Sequence, residues 1–339
     1  MNKNVYKYDD MKRSEHMAVR TTAGWYLWTH QLIEVTGEDA TVFLDWLYTA
    51  PIKNLAVGRD RYTTMLNADA EIIDDVVIMR MDEQRYWIST LFKYKLLDWL
   101  RGHKKEYKVE WKDITDEWHM FTIQGPNSKD MVNALVENPI DDLKFFSFAD
   151  NAIDGVPVIV NRAGFTGEKF GYEIYLAKDK YAWMVDKLKE TAPKFGAKQV
   201  TEFQIMAWTL PTEAGYYYMR DLLYTNPLEV GLDKGIDWDK KFIGKKALLK
   251  VKEAGPAREM VGFTLEEADV RINGKDQGAP GSVVTLDGEE IGRVSKFNYS
   301  FVQEKPVGYL LVDKGSVKIG DHVTINHRYD AVICEKKFL

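Results

Sequence analysis

A single cysteine, Cys334, in a chain of 339 residues excludes an internal disulfide and any zinc site built from several thiolates. No stretch reaches the roughly 18 consecutive apolar residues that a membrane-spanning helix needs, and the N-terminal segment has no apolar core of a secretory signal. A cytoplasmic location without a membrane role is therefore expected. Charge of neither sign dominates: 46 Lys and Arg stand against 52 Asp and Glu, a formal charge of -6 that gives no general pull toward nucleic acid. The six histidines are scattered, without an HExxH pattern, so no metal is expected. GxSxG, GxxxxGK[ST] and GxGxxG are all missing, which removes the commonest hydrolase, nucleotide and dinucleotide signatures.

What is present is the composition of a large globular protein. The chain is 45% hydrophobic and 29% charged, long enough for two or three domains. Aromatic residues are plentiful, and the clusters "GWYLW" (Gly24 to Trp28) and "GYYYM" (Gly215 to Met219) are candidates to wall a pocket for a flat ring. Periodicity predicts a helix over Lys12 to Arg20, a strand through "QLIEVTG", a helix ended by Pro51, a hairpin around "NADA", and an amphipathic helix in "LFKYKLLDWLRGHKK". That order is a ferredoxin-like alternation of strands and helices, and it recurs less cleanly up to about Lys250. Near "KEAGPAR" (Lys252 to Arg258) Gly and Pro break a lysine-rich helix. Short strands with glycine turns then predict an all-β module.

Two stretches carry the chemistry. In "LNADAEIIDDVVIMRM" two adjacent aspartates, Asp74 and Asp75, interrupt an apolar strand. Neighbours on a strand point to opposite faces, so one must point inward, where a carboxylate costs several kcal/mol unless it is paired or protonated. In "NRAGFTGEKFGYEIYL" a glycine-punctuated loop leads into a strand with Glu173 between Tyr172 and Tyr175. Glu173 either lies on a wet edge face or accepts paired N–H donors from a guanidine-like or pterin edge.

Taken in order, "EHMAVRTTAGWYLWTH", "TGEDATVFL", "YTTMLNADAEIIDDVV", "TIQGP", "NRAGFTGEKFGYEI", "PTEAG", "NPLEVGLDKGIDWDKKFIGKKAL" and "VGYLLV" resemble the folate-dependent aminomethyltransferase family, founded on the T-protein of the glycine cleavage system. The resemblance spans nearly the whole chain. It implies an α+β fold: a three-lobed cloverleaf around a central folate channel. Residues 1–252 would form two interleaved ferredoxin-like α/β lobes and residues 258–339 a C-terminal β-barrel. The implied cofactor is tetrahydrofolate. Asp75 falls on the family's catalytic aspartate, turned inward with Asp74 outside or in the turn-side network. Tyr62 and Val77 match folate-contacting positions, Glu173 matches the glutamate on the pterin edge, and Phe165 replaces a tyrosine. Tyr175, beside Glu173, and Lys234 complete the folate-contacting candidates.

Departures from the family pattern shape the expected activity. Ala207 and Pro211 stand where the family has arginine, Lys234 stands where it has tryptophan, and the "VTSG" signature reads "VSKFNYS" (Val294 to Ser300). Lys234 or Arg220 is expected to supply the missing cation. These changes resemble relatives that move a methyl group from a small O-, S- or N-methylated substrate to tetrahydrofolate, with Tyr26, His30, Tyr216 to Tyr218 and Lys234 as candidate acids toward the leaving group. The expected activity is that of such a demethylase. The alternatives are the aminomethyltransferase itself, which would need a lipoyl carrier protein as partner, and a non-catalytic folate-binding protein.

Overall fold

The computed structural model describes residues 9–28, 31–267, 269–275 and 279–339. Alternation of apolar and polar residues resolves into strands β1 (Gly24–Trp28), β2 (Gln31–Thr36), β3 (Asp60–Leu66), β4 (Ile72–Asp82), β5 (Arg85–Thr90), β6 (Glu110–Asp113), β7 (Trp118–Gln124), β8 (Ser147–Ile153), β9 (Val156–Arg162), β10 (Gly171–Ala177) and the two-residue β11 (Lys198–Gln199). They form two sheets. One has the order β3-β4-β5-β2-β6, the other β11-β1-β7-β10-β9-β8. The chain begins the second sheet with β1, leaves it to lay down β2 to β6, and returns at β7, so the two sheets interleave in sequence.

Each sheet buries one face under helices. Helices α1 (Asp10–Thr21), α2 (Ala40–Leu47), α3 (Lys93–His103), α4 (Ser128–Asn133) and α5 (Tyr181–Thr191) precede a π-helical turn over Ile205–Thr209. Phe43, Leu44 and Leu47 of α2 and Leu96 and Leu100 of α3 pack on Ile33, Val76, Ile78 and Ile88 of the first sheet. Met131 and Val132 of α4 and Met184 and Leu188 of α5 pack on Trp25, Phe121, Tyr172 and Ile174 of the second. Each fully buried side chain of this kind contributes about 1.5–3 kcal/mol. The opposite faces of the sheets turn toward one another, joined by Leu32, Met79 and Trp87 on one side and Met120, Ile159 and Tyr175 on the other. The candidate site lies between these facing sheets.

Beyond Arg258 the short strands close into a barrel. Strands β12 (Arg258–Thr264), β13 (Val283–Leu286), β14 (Glu289–Ser300), β15 (Lys305–Asp313), β16 (His322–Ile325) and β17 (Tyr329–Cys334) take the order β12-β15-β14-β13-β16-β17 around a core that includes Phe263, Phe297 and Leu310. Cys334 ends the last strand as a free thiol. The barrel is fastened to the sheets by apolar contact of Val307 and Tyr309 with Leu66, Ile72, Met219 and Leu222, and by buried carboxylates, Glu213 among them. Glu213, from "PTEAG" in helix α6 (Leu210–Glu213), accepts hydrogen bonds from His16 (2.9 Å) and Arg20 (2.8 Å) on α1 and from Ser300 (2.6 Å) on the barrel. Burial alone would raise its pKa, but His16, Arg20 and Ser300 hold it down at about 2. No helix among the described residues is long and apolar enough to cross a membrane.

Candidate functional site

The "IIDD" strand shows how the site face is made. Along β4, past a register shift at Ile73 that leaves Ile73 against the helix-side core, Asp74, Val76 and Ile78 are sealed, whereas Asp75 and Val77 between them stay partly accessible. Accessible positions in the middle of a packed strand mark open space on that side. Tyr62 lies directly across from Val77 in the β3–β4 ladder, and Thr64 across from Asp75. The Tyr62 hydroxyl donates to Asp75 Oδ2 at 2.9 Å.

Of the two places expected for Asp74, outside or in the turn-side network, the structure excludes the first. Asp74 is fully buried under the helices, where Oδ2 accepts from the Thr90 hydroxyl (2.8 Å) and Oδ1 from the Asp75 backbone N–H (3.0 Å). Pleat geometry sends the two aspartates to opposite faces, but here both faces are covered: one by helices, the other by the second sheet and the barrel. Burial, then repulsion from Asp75, pushes the Asp74 carboxyl up to about 8. Asp75 is itself pushed up to about 6, chiefly by burial, with the Tyr62 hydrogen bond holding it lower.

A second carboxylate faces Asp75's sheet from the other side. Tyr26, Thr122, Glu173 and Asn161 occupy one row across β1, β7, β10 and β9, and residues in register share a face. Glu173 Oε2 accepts from Asn161 Nδ2 (3.1 Å) and from the Tyr175 hydroxyl (3.1 Å). The same Asn161 amide reaches across the gap to Asp60 Oδ2 on β3 at 2.8 Å. Burial raises Glu173 to about 7 and Asp60 to about 6; the negative charge of Asp60 pushes Glu173 further in the same direction. The loop before β10 is fixed by glycine: a Cβ at Gly164 or Gly171 would stand 2.1 or 2.3 Å from the Gln124 side-chain oxygen. Gln124 in turn donates to Ala163 O and accepts from Thr166, which sets the Phe165 loop against the sheet. Phe165 packs on Trp28 with centroids 4.5 Å apart, and Trp28 meets Phe203 and Tyr26.

The third wall comes from helix α7 (Met219–Leu222) and the barrel. Lys296 lies where the family signature is altered, just after a register shift in β14 between Val294 and Lys296. Such a bulge re-aims a side chain, and Lys296 turns inward to full burial. Its ammonium pairs with Asp221 Oδ2 (3.1 Å), donates to Tyr216 O (3.3 Å) and lies over the Trp208 and Tyr309 rings. Asp75 feels both charges of the pair, raised by Asp221 and lowered by Lys296.

The expected site residues therefore divide. Asp75, Tyr62, Val77, Glu173 and Tyr175 border the gap between the sheets, and Tyr26 and Phe165 line its aromatic side. Lys234 is exposed in the turn Asp233–Gly235, and the structure does not bring it to Asp75. Arg220 stacks on Trp208 at 3.9 Å. The cation beside Asp75 is Lys296, which sequence reading noted only as part of a changed signature. Ala207 and Pro211 are buried, with no charge at either place. His30 lies outside the described residues. Asp60, Asn161 and Asp221 were missed: single polar residues in apolar strands or a short helix leave no periodic signal. An Asp two positions before Tyr62, on the same face of the pleat, was the sole hint of Asp60.

The group that would sit here must satisfy acceptors. Asp60 Oδ1 and Asn161 Oδ1 are buried without a hydrogen-bond partner among the described residues, beside Glu173. A flat heterocycle with several adjacent N–H donors, as the aminopyrimidinone edge of a reduced folate presents, fits such an acceptor-rich cleft.

Comparison with known proteins places the chain in a family. Residues 3–240 match the GCVT N-terminal domain model and residues 258–339 the glycine cleavage T-protein C-terminal barrel domain. The chain is 32% identical to the aminomethyltransferase of Thermotoga petrophila over 340 residues, covering 96% of this chain and 88% of that protein. It is 32% identical to that of Thermoanaerobacter sp. strain X514 at the same coverage. The crystal structure of glycine cleavage system aminomethyltransferase T from Bartonella henselae superposes with a TM-score of 0.84 over 96% of this chain and 88% of that one, at 23% identity. The chain belongs to the glycine cleavage T-protein family, whose enzymes are tetrahydrofolate-dependent transferases.

Proposed function

We propose that the protein transfers a one-carbon unit to tetrahydrofolate, and that the unit arrives as an aminomethyl group on a lipoyl carrier protein. The observation that carries this reading is the placement of Asp75 and Glu173 on facing sheets of one gap, one beside Tyr62 and the other beside Asn161 and Tyr175. The full-length likeness to proteins named aminomethyltransferase supports the aminomethyl donor.

Bound reduced folate supplies the nucleophilic nitrogen that takes the carbon. Glu173 holds the ring's N–H edge, which fixes the distance from that edge to the opposite sheet. Asp75 faces the reacting nitrogen as a carboxylate that stabilises positive charge and accepts the departing proton. Tyr62 holds Asp75 in place through its hydroxyl. Phe165, Trp28 and Tyr26 keep water from the ring's faces.

A second reading, a methyl donor, is favoured by one feature: uncharged Ala207 and Pro211 with a buried Lys296–Asp221 pair beside Asp75. The two are separated by product. Aminomethylated carrier plus tetrahydrofolate should give methylene-tetrahydrofolate and ammonia. Methyl-tetrahydrofolate formed from a methylated ether, thioether or amine, with no turnover of the carrier, would establish the second reading instead.

A further inference from the structure

Glu173 is not the only buried acid at its end of the gap. Asp60, 3% exposed on β3, and Glu173, 7% exposed on β10, come from different sheets and share the two protons of one amide, Asn161 Nδ2. Both partners of that nitrogen are carboxylates, so the amide orientation is fixed: its oxygen points away from them and is left buried with no donor. Asp60 Oδ1 is in the same condition. Buried acceptors without donors cost about 1–3 kcal/mol each, more when charged. The groups around them do not relieve this. The Tyr175 hydroxyl gives its proton to Glu173, Asn161 has both N–H groups committed, and the Asp60 backbone N–H and the charge of Arg59, just before β3, lower the Asp60 carboxyl less than burial raises it. No lysine or arginine among the described residues forms an ion pair with either acid. Two buried acids bridged by one amide and without a cation each favour the protonated form, and the directions of their shifts, both upward, agree.

We infer that Asp60 is a second ligand for the N–H edge of the folate ring, joined to Glu173 through Asn161, and that ring binding expels the proton held by this pair. The inference rests on the folate reading above and deepens it. An aminopyrimidinone edge carries more donors than one carboxylate can accept. Asp60 and Tyr62 lie two residues apart on one face of β3, about 7 Å, and Thr64, opposite Asp75, about 7 Å further. A flat ring held at Asp60 and Glu173 thus extends along β3 past Tyr62 toward Asp75. In proton terms, the acid O–H of the pair goes to solvent, and the ring's N–H groups replace it as donors to the two carboxylates; no bond to carbon changes.

The test is calorimetric titration of the intact protein with 5-formyltetrahydrofolate, a stable reduced folate, in two buffers of different ionisation heat. Wild type should bind about tenfold more tightly at pH 8 than at pH 6 and release close to one proton near pH 7. Asp60→Asn should bind at least tenfold more weakly at pH 8 and release clearly less proton than wild type, since only the burial of Glu173 then remains to hold one, with an unchanged circular dichroism spectrum. Asp60→Ser, which also removes the carboxylate, should do the same if the asparagine variant is poorly folded. Wild-type affinity and proton release in either folded variant would overturn the inference while leaving the folate reading intact. Failure of wild type to bind any reduced folate would sink both.

Discussion

Replacing Asp74 by asparagine removes one buried charge and little else. The amide oxygen of the new side chain can still accept the Asp75 backbone N–H, as Asp74 Oδ1 does at 3.0 Å, and its other end can pair with Thr90. The folded carboxyl titrates at about 8 rather than 3.8 because burial and then Asp75 disfavour its ionised form. The native state therefore keeps its proton over a window in which the unfolded chain has lost it. Since the native state binds more protons between about pH 4 and 8, wild-type stability falls as pH rises through that window and the loss is complete above it. About four pH units at about 1.4 kcal/mol each set an upper bound of ~6 kcal/mol. The site relaxes around an ionised carboxylate, so ~3 kcal/mol is expected. If the chain unfolds as one unit, that is about 4 °C in Tm. Thermal unfolding of Asp74→Asn should show this gain near pH 9 and well under half of it near pH 5, where only the start of the window has been crossed. An equal gain at both pH values, or a loss at pH 9, would refute the argument.

Three further outcomes follow from the same geometry. Asp75→Asn should cut turnover strongly while leaving folate affinity within a few fold; an equal loss in affinity would reduce Asp75 to a positioning role. Glu173→Ala should weaken reduced-folate binding by roughly 2–4 kcal/mol, measured by calorimetry, because ring donors lose a buried acceptor. Lys296→Met alone would strand Asp221, so the informative variant is Lys296→Met with Asp221→Asn. In that variant both neighbours that tune Asp75 are neutral. Its acid limb in the pH–rate profile should stay within about half a pH unit of wild type, whereas Asp221→Asn alone should shift it to lower pH, since only the lowering partner remains.

Much of the fold was legible because its signals are periodic. The α2, α3 and α5 helices and the strand after "NADA" follow apolar spacing, and the glycine turns past Arg258 gave the barrel module. Of the candidate site, Asp75, Tyr62 and Glu173 were proposed from motif context, and "IIDD" drew attention through its clash with the apolar run. The role of Asp74 was not, because pleat alternation says only that two neighbours part, not whether each face is covered. Lys296 required the bulge in β14, which no local pattern announces. Asp60 and Asn161 became visible only when the strands that carry them, far apart in sequence, met across the gap.

The central claim is that Asp75 serves one-carbon transfer to folate held by Glu173. It is tested most directly by mixing the protein with tetrahydrofolate and an aminomethylated lipoyl carrier and following ammonia and methylene-tetrahydrofolate together. The account predicts that both appear in equal amounts, and that Asp75→Asn abolishes them while still binding folate. Equal rates in wild type and Asp75→Asn would contradict it.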